Sequence, residues 1–224
     1  MAKHFMTVSL HFGYFTIKFK RRRKIANRSG IIDQAPFDDD IMKNMEMKRW
    51  RFSMKHYLEE IKAQIREAEF VLVGIGEEFK AVPGAEERIA RSYECLEKLL
   101  KGKLYFLVTQ NEDECIFSSP LQDFFIAAPF GPRERSQSSE DQWNSYLNWL
   151  SGTLGHRLCI LELGVGFSAP QVIRWPFEKT AQFHLKSFMI RINEKFPQLS
   201  CEIKERGISV QKNAVDWLME AEQG

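Results

Sequence analysis

The sequence is short of the features that announce the simplest functional classes. Among its 224 residues there are only 4 cysteines, Cys95, Cys115, Cys159 and Cys201, and no Cys-x-x-Cys pair. That excludes a zinc ribbon and a small disulfide scaffold, and it fits a reducing cytoplasm. No apolar run approaches the roughly 20 residues that a membrane span needs. The most apolar stretch, Leu158 to Pro170, is interrupted by Glu162. A secretory leader is not expected either. The apolar residues near the start alternate rather than run, and the positive cluster follows them. Low-complexity tracts and internal repeats are missing.

Negative charge is missing from one region. Residues 1–30 carry Lys3, Lys18, Lys20, Arg21, Arg22, Arg23, Lys24 and Arg28 and not one acid, although the formal net charge is only +2. The rest of the chain holds 24 basic and 30 acidic residues and is therefore acidic. Residues 1–40 read as a basic N-terminal arm, with disorder as one option. Val8, Leu10 and Phe12, then Phe15, Ile17 and Phe19, recur at spacing two, so the arm also carries a strand or hairpin pattern with Gly13 near its turn. The run Lys20 to Lys24 reads as a solvated linker. Nucleic acid is not expected as a partner, because no recognition helix or aromatic platform adjoins the run.

What is present after residue 40 is alternation. A helical pattern of Trp50, Met54, Tyr57, Leu58, Ile61, Ile65 and Ala68 precedes a buried strand, Phe70 to Gly74. A helix over 86–101 leads to a second strand, Leu104 to Val108. A polar loop over 131–141 and a helix ending near Gly152 lead to a third, Leu158 to Leu163. Phe188 to Ile192 is a fourth, Ile208 to Val210 a short fifth, and a last amphipathic helix carries Val215, Trp217 and Leu218. The expected fold over 41–224 is α/β, a Rossmann-like, doubly wound, mostly parallel sheet covered on both faces.

In such sheets ligands bind beyond the carboxyl ends of the strands, where the strand order reverses. Four signals fall at those ends. Gly74-Ile75-Gly76 would let the backbone approach a phosphate. The third glycine of a dinucleotide fingerprint is missing, however, and Glu77 and Glu78 would repel a pyrophosphate that they faced. Gln110 and Asn111 offer amide donors and acceptors for a carboxamide or ribose hydroxyls, and Asp113 offers an acceptor. An Asx turn is the competing reading of that segment. Gly164-Val165-Gly166 permits close approach again, and Ile192-Asn193-Glu194 is placed to hold a ribose. Arg174 could steady a phosphate, while Trp175 and Phe177 read as packing residues, with Pro176 marking a kink or a helix start.

Together these residues resemble the sirtuin family of NAD+-dependent protein deacylases over roughly residues 60–218. Thr109, Gln110, Asn111 and Asp113 match the Thr-Gln-Asn-x-Asp signature. Gly74-Ile75-Gly76 matches the glycine-rich first loop, with Glu78 where a serine is expected. Gly164-Val165-Gly166 matches the later Gly-Thr-Ser strand end loosely, and Ile192-Asn193 matches the pair on the adenosine side. The resemblance implies NAD+ as co-substrate or ligand, contacted by Gly74, Gly76, Gln110, Asn111, Asp113, Gly164, Gly166, Asn193 and Glu194. Asn111 and Asp113 are the residues it offers for catalysis, and a protein substrate is the partner it allows. Two family features are absent. Phe130-Gly131 stands where the catalytic His-Gly belongs, and phenylalanine cannot accept a proton. The interval from Pro132 to Arg157 holds no cysteine, so no zinc is expected. The function implied is cleavage of the nicotinamide–ribose bond, for deacylation or ADP-ribosyl transfer. The alternative is an inactive NAD+- or ADP-ribose-binding or interaction protein.

Overall fold

The computed structural model describes residues 57–131 and 138–223, together with the strands Thr7–Phe12 (β1) and Phe15–Lys20 (β2). By contact, residues 1–50 and 51–224 are two separate units. In the first, β1 and β2 pair antiparallel, Thr7 opposite Lys20 and Phe12 opposite Phe15, as their spacing-two pattern predicts. The basic residues 21–24 and 28, the helical pattern over 41–56 and most of the polar loop over 131–141 lie outside the described residues.

The described residues of the second unit open on a helix through residues 57–67 (α1) and continue as strand Phe70–Ile75 (β3), helix Glu86–Leu100 (α2) and strand Leu104–Thr109 (β4). Then follow strand Ile126–Ala127 (β5), helix Ser139–Gly152 (α3), strand Leu158–Leu163 (β6) and helix Arg174–Phe183 (α4). Strands Ser187–Ile192 (β7) and Gly207–Val210 (β8) and helix Ala214–Gln223 (α5) complete it. The six strands β3 to β8 form one sheet in the order β5-β4-β3-β6-β7-β8, and every pairing is parallel. The fold is therefore α/β, a Rossmann-like doubly wound sheet. Strand β5 is the element that the hydrophobic pattern does not announce, because two residues make no run.

The pleat sorts the core into two layers. Val71, Val73 and Ile75 of β3 face one side, where they meet Ile61 and Ile65 of α1, Ile89, Tyr93 and Leu96 of α2, and Val215 and Trp217 of α5. Leu72, Phe106 and Ile160 face the other, against Tyr146 of α3 and Ile173, Phe177 and Ala181 beside or within α4. Strands buried on both faces read as continuous apolar runs, which is why these segments stand out in the sequence. Gly74 belongs to the second face. A Cβ there would sit 2.5 Å from Ile173 Cγ2 and 2.8 Å from a Phe177 ring carbon, so α4 crosses the sheet over a glycine.

Helix α4 shows where the chain departs from expectation. Pro176 falls in its first turn, where a missing N–H breaks no helical bond. Phe177 is fully buried as a packing residue, but Trp175 is 53% exposed on the opposite side. Helix α3 starts on Ser138, whose hydroxyl accepts from the Asp141 amide at 3.1 Å.

The four thiols are free. Burial pushes the Cys159 thiol up to about 12 and, with the neighbouring Glu222 carboxylate adding to it, the Cys95 thiol up to about 11. Burial also raises Cys115, whereas Cys201 is exposed. Thiolate is the reactive form, so in native protein at pH 8 a disulfide reagent such as DTNB is expected to modify Cys201 rapidly. Cys115 should follow slowly, and Cys95 and Cys159 only on unfolding. Loss of the fast phase in Cys201→Ser checks the assignment; a fast phase surviving in that variant contradicts it.

Candidate functional site

Counting from β3 as first, the strand order runs 3-2-1-4-5-6, so the winding reverses between β3 and β6. The loops after β3, β4, β6 and β7 meet at the carboxyl end of that reversal, joined by the start of α5 after β8. Gly76, Gln110, Asn111, Asp113, Gly164, Gly166, Asn193 and Glu194 lie on these loops, whereas Gly74 is inside β3 with Ile173 and Phe177 packed against it, which corrects its reading as a ligand contact.

Asn111 leaves β4 and turns back across β3. Its Nδ2 donates to the Gly76 carbonyl at 3.0 Å, and Asn111 is 6% exposed. The Thr109 hydroxyl accepts from the Asn111 amide at 3.1 Å and holds that turn. Gln110, 7% exposed, points its Nε2 at Glu77 Oε1 (3.2 Å) and at the Ser168 hydroxyl (3.3 Å). Its Oε1 is buried and meets no donor. Asp113 behaves as a turn residue. Its two oxygens accept from the amides of Ala81 (3.2 Å) and Cys115 (3.1 Å), which pins the loop after β3 to the loop after β4.

On the other side of the reversal, Asn193 directly follows β7. Its Nδ2 donates to the Val165 carbonyl at 2.9 Å, and its Oδ1 accepts from the amides of Lys195 (2.9 Å) and Phe196 (2.7 Å). Asn193 thus fastens the loop after β6 to the loop after β7. Glu194 is exposed, and its main chain rather than its carboxylate enters the network.

The glycines are where the chain passes closest to itself. A Cβ on Gly76 would lie 2.3 Å from Val165 Cα and 2.4 Å from the Gly164 carbonyl oxygen, so the loops after β3 and β6 touch backbone to backbone. Gly164 has φ +63°, a left-handed conformation suited to glycine. A Cβ on Gly164 would meet the Glu78 side chain at 2.5 Å, and one on Gly166 would meet the Glu77 carboxylate at 2.4 Å. The space that Gly164 and Gly166 leave is thus taken by the chain's own two carboxylates.

Those carboxylates tie five segments together. Glu77 Oε1 accepts from the Ser168 amide at 3.0 Å as well as from Gln110. Glu78 accepts from the Glu194 amide (2.8 Å) and from the Ala214 amide (2.6 Å) at the start of α5. Burial pushes the Glu78 carboxyl above its ordinary range, while the two amides pull the other way. An anion at a helix N-terminus is favourably placed, and here the anion is internal. The composition of the first loop gives the two acids, but nothing in their spacing says that they accept from the amides of the neighbouring loops.

Arg174 does not reach outward. Its Nη1 donates to the Val165 carbonyl (2.9 Å) and approaches Glu162 Oε1 (3.4 Å), and its Nη2 donates to the Phe196 carbonyl (2.9 Å). It is 4% exposed and its nitrogens are directed at internal acceptors, where the sequence offers it as a group to steady a phosphate. Beneath it Arg191 grips Glu162 through two nitrogens, at 2.7 and 3.0 Å, and pairs with Glu178 at 2.8 Å. Phe167 lies over the Arg174 guanidinium at 4.4 Å and meets Phe196 edge to face at 5.1 Å. These aromatics and the buried ion cluster are the parts of the site that sequence reading missed. The one available signal was Glu162 within an apolar strand.

Phe130 follows β5, two strands from β3, and is 44% exposed. The buried His184 bonds the Thr153 carbonyl through Nε2 (3.0 Å), and His156 pairs with Glu69 (2.7 Å). Neither lies on the loops of the reversal.

No family model matches the sequence, and no curated protein matches it. Among solved structures, the minimal Ste5 VWA domain subject to autoinhibition by the Ste5 PH domain is similar at 10% identity. That match covers 74% of this chain and 93% of the other, with a TM-score of 0.33. Among the described residues, no helix is long and apolar enough to cross a membrane.

Proposed function

We propose that the chain binds NAD+ or ADP-ribose at the reversal between β3 and β6, in the way its sirtuin resemblance implies, and that it does so without deacylating a protein. The observation that supports the reading is the strand order, which brings Gly76, Gln110, Asn111, Gly164, Gly166 and Asn193 to one rim. A second support is Gln110, whose buried Oε1 has no donor and is suited to an amide or hydroxyl of a ligand. Deacylation is disfavoured because Phe130 offers no proton acceptor and Asp113 spends both oxygens on main-chain amides. Cleavage of the nicotinamide–ribose bond, with a protein as acceptor, is the reading that a turnover result would favour instead. A reducing compartment, the cytoplasm, suits four free thiols.

The test is thermal unfolding with and without ligand. Saturating NAD+ or ADP-ribose is expected to raise the midpoint, and Asn111→Ala to abolish the rise. At a concentration of 100 Kd the stabilisation is about 2.7 kcal/mol. No rise with either ligand overturns the proposal. Nicotinamide released over time would move it to the enzyme reading.

A further inference from the structure

A ligand phosphate at this rim would need the very amides that Glu77 and Glu78 already hold. The Ser168, Glu194 and Ala214 amides come from three different segments, and each donates to a side-chain carboxylate of the loop after β3. The fit is close on the opposite side too, since Gly164 and Gly166 have no room for a Cβ against these side chains. Among the described residues, no cation neutralises the pair by direct contact. Glu77 is held by the Gln110 side-chain amide and the Ser168 main-chain amide, Glu78 by main-chain amides alone, and Lys195 acts on Glu78 only at a distance. We propose that Glu77 and Glu78 are specificity-determining residues. They are resident anions that occupy the phosphate-holding amides, so any ligand phosphate must displace them.

The inference rests on the nucleotide reading for its ligand but makes a separate claim about charge. An anionic ligand is opposed twice: by loss of the amide bonds to the two carboxylates, and by their repulsion once released. A ligand without phosphate meets neither obstacle. The order of affinity in the unaltered protein is therefore set by phosphate content, with nucleosides least penalised.

Replacing either carboxylate by an amide of the same shape removes the repulsion and retains an acceptor oxygen for the loop amides. Calorimetric titration of ADP-ribose, inorganic pyrophosphate and adenosine into the full chain, Glu77→Gln, Glu78→Gln and the double variant makes the comparison. Expected is a gain of roughly tenfold per substitution for ADP-ribose and pyrophosphate, with adenosine unchanged. Glu78→Gln also alters the start of α5, so Glu77→Gln, on the more exposed residue, carries the test if the former melts early. Tighter pyrophosphate binding with no binding of ADP-ribose or adenosine to any form would sustain the resident-anion proposal and overturn the nucleotide reading. Unchanged or weaker binding of both anions in every folded variant, including no binding at all, would overturn the proposal itself. An equal gain for adenosine would do the same, because it would show that the substitutions merely loosen the loops.

Discussion

Gly76→Ala should lower the thermal midpoint by roughly 10 °C, which corresponds to about 3 kcal/mol for a chain of this size. The new methyl group would be placed 2.3 Å from Val165 Cα, 2.4 Å from the Gly164 carbonyl oxygen and 2.6 Å from the Val165 nitrogen. All three are main-chain atoms of the loop after β6, so no rotamer change relieves the clash. The loop would have to move, and with it the Asn193–Val165 bond and the contact between Gly164 and Glu78. Gly152→Ala is the matched control. It ends α3 with nothing within 4 Å of its would-be Cβ, and alanine there should be neutral or stabilising by up to about 1 kcal/mol. Differential scanning calorimetry on the two variants reads the contrast. A Gly76→Ala protein melting with the parent would show that the two loops do not touch as described.

Glu162→Ala should be at least as damaging, costing about 3–5 kcal/mol in urea unfolding. Glu162 is wholly buried on β6, and its carboxylate is shared by Arg191, also wholly buried, and Arg174. Removing it leaves two guanidinium groups in the interior with Glu178 as their remaining carboxylate. Arginine does not shed its proton to escape that situation. The double variant Glu162→Ala, Arg191→Ala should lose clearly less than the sum of the single losses, because each partner's removal is costly chiefly through the charge it strands. The pair Arg88–Asp216 offers the comparison, with both side chains more than 40% exposed. Asp216→Ala there should change stability by less than about 1 kcal/mol. Equal losses for Glu162→Ala and Asp216→Ala would refute the buried-cluster account.

How far the fold can be read from the sequence follows from the same residues. The four long strands are legible because each is buried on both faces and reads as an apolar run, and the glycines, Asn111 and Asn193 sit at their ends as topology requires. The partnership of Glu162 with Arg191 is not legible. The two residues are adjacent only because β6 and β7 pair in the register Glu162 opposite Arg191, a relation between strands that no local pattern records. The capture of loop amides by Glu77 and Glu78 is hidden for a similar reason. It depends on amides of Ser168, Glu194 and Ala214, which come together only after the sheet has formed. Likewise Asp113 has the sequence context of a ligand contact but the hydrogen bonds of a turn, and only geometry separates the two.

The strand order also sets a time sequence. Strand β3 pairs with β4 across a short excursion, Phe70 opposite Leu104, but with β6 across a far longer one, Phe70 opposite Leu158. Closing the longer loop costs about 0.8 kcal/mol more in chain entropy, and such distant parallel pairings form slowly. The half containing β3, α2 and β4 can therefore assemble before β6 arrives on its other edge. Since the loops of the candidate site lie on both sides of that late seam, the rim is completed near the end of folding. A slow refolding phase should accordingly be visible in the recovery of ligand binding while being nearly silent in the signal from α2.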